Sequence, residues 1–154
     1  MNTREPYTQN LLQAIEDAEG FRPLPYLDSR GHLTVGYGHK LPAALIPDGP
    51  PAPPAYSWEK ARVLLKNDIA EACTVVTNLF PQLIPRCVRT DVLIELAFIL
   101  GGGPQGLPSW SNLIHAVNRG DPVVVAWEIV NSKAYLQIPE RILSLALRYL
   151  TRRY

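Results

Sequence analysis

Between residues 8 and 19 the apolar side chains recur at helical spacing. Leu11, Leu12, Ile15 and Ala18 share one face, and Gly20 stands where a C-terminal glycine stops a helix. The period then changes to two. Leu24 and Tyr26, followed after the turn-forming stretch Asp28 to Gly31 by Leu33 and Val35, predict a β-hairpin over residues 24–38. Pro23 and Pro25 lack the N–H that a ladder needs, which puts the first strand at a sheet edge. Prolines at 42, 47, 50, 51, 53 and 54 exclude a regular helix and predict a stiff, partly polyproline loop. A proline-rich ligand for a partner domain is the other reading of that loop.

Helical periodicity returns at Ser57, a residue suited to cap a helix, with Glu59 in the first turn. Leu64, Leu65, Ile69, Ala72, Val75 and Val76 keep one face apolar to about residue 79. Pro81 and Pro85 break the chain, and a strongly apolar segment over about 87–100 predicts a buried helix. The glycines of 101–109 read as a flexible connector, after which Ser109 or Ser111 starts a helix that Gly120 stops. Asp121-Pro122 and Ile138-Pro139 open two more, with proline at the first helical position. The expected fold class is α+β and mostly helical. One domain over 1–154 would comprise a small lobe carrying the hairpin and the proline-rich loop (1–56), a long connecting helix (57–80) and a larger helical lobe (81–154).

Composition narrows the function classes. With 47% hydrophobic and 19% charged residues the chain can build a core and is not disordered. A formal net charge of +1, with only the tail "RYLTRRY" locally basic, argues against a nucleic-acid partner. The first twenty residues lack the apolar stretch of a secretory signal. The longest apolar run, 92–100, contains Glu95 and is too short to span a bilayer, so stable membrane insertion is not expected. Cys73 and Cys87 stand in apolar helical context without Cys or His neighbours at ligand spacing; buried free thiols are expected, a disulfide between them is the alternative, and no metal or cofactor is.

Candidate chemistry gathers in "EGFRPLPYLDSRGHLTVGYGHK", residues 19–40. Glu19 falls at the C-terminal end of its helix, where exposed carbonyls favour the protonated acid. Asp28 falls in a turn, where water and backbone amides favour the ionised form. One protonated and one ionised carboxyl is the pairing that glycoside hydrolysis uses. Thr34 projects from the return strand and could hold a water near Asp28. On spacing alone, a charged helix end plus a turn cap explains the same residues. His39 suits a structural bridge from the hairpin to an acid such as Asp68 better than a catalytic role. Tyr26 could face a sugar, and Phe98 more weakly so, an aromatic on an apolar helix being usually core.

The run "EGFR", "PYLDSRG", "TVGYGH" resembles the active-site region of the T-even phage-type lysozymes and related endolysins of glycoside hydrolase family 24. "SNLIHAVNRGD" at 111–121 is similar to that family's helix leading to Leu-Asn-x-Gly-Asp, and Arg141 stands where an arginine follows its last helix start. The resemblance implies a lysozyme-like fold. It also implies a catalytic set of Glu19, Asp28 and Thr34, with His39, and Arg141 as a contact that steadies Glu19. The proline-rich loop and the "IPERI" segment depart from the family pattern.

The implied function is that of an endolysin-type muramidase, a glycoside hydrolase cleaving the β-1,4 bond between N-acetylmuramic acid and N-acetylglucosamine in peptidoglycan. Inversion, which the resemblance suggests, needs carboxyl groups about 6.5–9.5 Å apart. A lytic transglycosylase on the same bond, and a non-catalytic glycan- or partner-binding domain, are the rivals. The expected setting is a monomer in the host cytoplasm that reaches the periplasm and cell wall through a holin-type pore.

Overall fold

A computed structural model of the chain describes residues 5–28, 31–42 and 54–154. The described chain is mostly helical, with one small antiparallel sheet, and so is of the expected α+β class. It divides into two compact units, Leu12–Ile69 and Met1–Leu11 with Ala70–Tyr154. The division falls inside the first and second helices. Most of the proline-rich loop lies outside the described residues.

In the unit Leu12–Ile69, helix α1 (Gln9–Glu19) enters with Leu11, Leu12 and Ile15 buried. Ala18, expected on that face, is exposed; Glu16 is buried instead, because the Arg62 side chain donates to its carboxylate at 2.6 Å. The Gly20 N–H closes the helix on the Glu16 carbonyl. Strands β1 (Arg22–Leu27), β2 (Leu33–Gly36) and β3 (His39–Lys40) form the sheet in that order, so β1 is an edge as the prolines required. Pairing is irregular between Arg22 and Tyr26, where Pro23 and Pro25 interrupt the donors. The Tyr56 N–H, beyond the loop, donates to the Pro23 carbonyl. The two-residue β3 was not anticipated from sequence; it follows from the tight turn at Gly36–Gly38 and pairs only through Thr34–Lys40 and Val35–His39. Helix α2 (Trp58–Leu79) starts where Ser57 predicted it, with the Ser57 hydroxyl accepting from the Lys60 N–H. Hydrogen bonds from backbone and Ser57 hold the exposed Glu59 carboxyl below its ordinary value.

The other unit is built on α3 (Val88–Leu100), whose residues 90–97 are all buried. Around it run α4 (Ser111–Arg119), α5 (Pro122–Val130), α6 (Lys133–Gln137) and α7 (Pro139–Thr151). Asp121 caps α5, its carboxylate accepting from the N–H groups of Val123 and Val124 at 3.1 Å each. At α4 the cap position belongs to Trp110, without a side-chain bond, and Ser111 is the first helical residue. The glycine-rich connector is a closed, packed turn rather than a loose one. Leu107 is fully buried, its N–H donates to the Gly101 carbonyl, and a Cβ on Gly106 would fall 1.9 Å from that same oxygen. Both cysteines are free thiols, Cys73 buried and Cys87 half-buried. Among the described residues no helix is long and apolar enough to cross a membrane.

Candidate active site

The hairpin unit holds five of the seven side chains that the sequence singled out: Glu19, Tyr26, Asp28, Thr34 and His39. Glu19 is the last residue of α1 and is half-buried. Phe21, two residues on, packs its ring against Tyr37 with centroids 5.7 Å apart, which ties the end of α1 to the hairpin. Gly38 has φ +84°, and a Cβ there would lie 3.4 Å from Oε2 of Glu19. The backbone thus approaches the carboxylate across a position where a side chain would be strained and in contact. Gly36 serves packing instead: with φ +67°, a Cβ would come within 2.8 Å of the Ala61 Cβ on α2. Together these two glycines seat the β2–β3 turn between α2 and the Glu19 carboxylate.

Asp28 follows β1 and is half-buried. Its backbone N–H donates to the His32 carbonyl at 2.9 Å, extending the ladder by one bond. Its side chain accepts from the His32 N–H at 2.8 Å, and its other oxygen stands 3.2 Å from Nδ1 of the His32 ring. Thr34 is 3% exposed, and its hydroxyl donates to the same His32 carbonyl at 3.0 Å. Asp28 and Thr34 are therefore brought together at one peptide group. Tyr26 lies directly opposite Thr34 in the register, which puts the two side chains on one face, and Arg22 stacks over the Tyr26 ring at 4.4 Å. His39 makes the expected bridge, with Nδ1 at 2.9 and 3.0 Å from the two Asp68 oxygens.

Phe98 and Arg141 belong to the other unit. Phe98 is half-buried on α3. Arg141 donates from Nε to Glu95 at 3.0 Å, and Arg148 donates to the second Glu95 oxygen at 2.6 Å. The sequence reading did not foresee Glu95 as a partner of Arg141. His32 was also missed. It sits four residues from Asp28 in a turn, and only knowledge of the turn geometry would have paired them.

A family model described as phage lysozyme matches residues 16–136, a span that includes Glu19, Asp28, Thr34 and the turn glycines. The chain belongs to the phage lysozyme family. A comparison with curated protein sequences gave no match. Membership carries lysozyme-type cleavage of peptidoglycan, a glycosidase activity typical of phage endolysins. In this phage lysozyme one carboxyl, Glu19, stands at the end of α1 and another, Asp28, in the turn that follows β1.

Proposed function

We propose that this phage lysozyme is a muramidase. It hydrolyses the β-1,4 bond between N-acetylmuramic acid and N-acetylglucosamine and inverts the anomeric centre, as in glycoside hydrolase family 24. Glu19 protonates the leaving glycosidic oxygen. Asp28 takes the proton of the attacking water, which the Thr34 hydroxyl helps to hold. The observation that carries this reading is the shared His32 carbonyl: Asp28 and Thr34 are bound to one peptide group. The Glu19 carboxylate meanwhile lies against the backbone of the same hairpin at Gly38. Before lysis the enzyme accumulates as a monomer in the host cytoplasm and reaches the wall through a pore made by another protein.

Mass analysis of muropeptides released by the parent and by Glu19→Gln tests bond and chemistry together. Hydrolysis adds one water to each cut and leaves a reducing muramic acid end, and Glu19→Gln releases nothing. Anhydro-muramic ends would make the enzyme a lytic transglycosylase instead, and release by Glu19→Gln at the parent rate would remove Glu19 from the chemistry.

A further inference from the structure

His32 meets the proposed base through its ring, its peptide N–H and its carbonyl. Its peptide N–H is 2.8 Å from one Asp28 oxygen and its ring Nδ1 is 3.2 Å from the other. Its carbonyl accepts from the Asp28 N–H and from the Thr34 hydroxyl. An exposed His–Asp pair joined through one contact would contribute little, since water competes for both partners. Here one residue grips both oxygens and the backbone of the carboxylate, so the plane of the carboxyl is fixed relative to β2.

We infer that His32 is a positioning residue for Asp28, one that orients the carboxylate and supports its charge. The inference rests on the reading of Asp28 as the base. An ionised carboxylate only accepts hydrogen bonds, so the Nδ1 facing it carries the proton. A second proton can then bind at Nε2 without disturbing that bond. His32 thus orients Asp28 whether its ring is neutral or charged. The N–H that the ring directs at the carboxylate favours its ionised form. The ring is 50% exposed, and that leaves it open to solvent protons and keeps the electrostatic effect modest.

Several other charged groups belong to the same structure. Arg22 is stacked on Tyr26 in β1, Lys40 lies opposite Thr34 in β3, and Glu19 ends α1. All three are unchanged in His32→Phe and His32→Arg, so a pH profile displaced in those variants belongs to His32.

The experiment measures kcat and KM on purified peptidoglycan from pH 4 to pH 8 for the parent, His32→Phe, His32→Arg, Asp28→Asn and Glu19→Gln. For His32→Phe the expected result is a kcat about threefold to tenfold lower at neutral pH with KM unchanged, because orientation rather than binding is lost. Its acid limb moves to higher pH, because a carboxylate that has lost a hydrogen-bond donor ionises less readily. His32→Arg keeps a permanent positive charge and returns the acid limb to the parent position. A merely structural role would lower the folded fraction and leave the limb in place. If Asp28→Asn and Glu19→Gln are inactive while His32→Phe follows the parent at every pH, the His32 inference fails alone. If Asp28→Asn turns over at the parent rate, the reading of Asp28 fails and the inference with it.

Discussion

Asp91 and Glu95 stand one helical turn apart on α3 and are buried to 0% and 1% exposure, whereas Glu19 and Asp28 stand at element ends and stay half-buried. The buried pair is closely matched by partners. Asp91 accepts from the Thr8 hydroxyl at 2.5 Å and from the Tyr154 hydroxyl, and Glu95 accepts from Arg141 and Arg148. Burying a carboxylate is unfavourable unless such donors surround it, and once surrounded it has little room to exchange protons with a substrate. The hairpin carboxylates are held differently. Asp28 accepts from the peptide of His32 in a turn, and the Gly38 backbone comes close to the Glu19 carboxylate. A carboxyl group at a boundary can be oriented and still meet solvent or sugar. The same residue type therefore serves as framework in one unit and as proposed chemistry in the other.

The largest effect expected in the helical unit comes from Glu95→Ala. It leaves two guanidinium groups facing a carboxylate-sized gap and is expected to cost about 3–5 kcal/mol of stability, seen as a fall of about 10 °C in Tm. At a temperature where the variant is folded, its pH profile on peptidoglycan should keep the parent's shape. A stability within 1 °C of the parent would make the Glu95 cluster a surface-like pair. In the hairpin unit, Gly36→Ala forces a left-handed backbone on alanine and a contact with Ala61, at about 1–3 kcal/mol. Denaturant melts at matched folded fraction would show whether its loss of activity exceeds its loss of stability; equal losses would mean that the turn is framework only.

The smallest effect concerns Cys73. Burial first, then the charges of Asp91 and Glu5, push its thiol up to about 12 from an ordinary 9.0. The native state therefore holds the thiol proton where the unfolded chain has released it. Its contribution is complete below pH 9 and is lost as pH rises from there toward 12, so unfolding becomes easier across that window. At pH 8 a thiol reagent should label Cys73 only as fast as the protein opens, and the half-buried Cys87 sooner. Equal native labelling rates would contradict the burial of Cys73.

Much of this was legible in the chain. Period changes marked α1, the hairpin, α2 and α3, and the caps at Ser57 and Asp121 were readable because capping is local chemistry. The short pieces were not. β3 exists only as a partner of β2, and α6 spans five residues, too few for a periodic signal. The Glu95 cluster joins residues 46 and 53 positions apart, a pairing that no local pattern encodes. Of the site, Glu19, Asp28 and Thr34 stood out through their joint spacing with the turn glycines. His32 did not, because its role depends on a turn that folds it back onto Asp28.

The central claim is that Glu19 supplies the proton that cleaves the glycan. Turnover of purified peptidoglycan by Glu19→Gln, measured beside the parent with a thermal melt of each, tests it most directly. The account predicts a rate lower by about 10²–10⁴ or more at an essentially unchanged Tm. Parent-level turnover by the folded variant would contradict it.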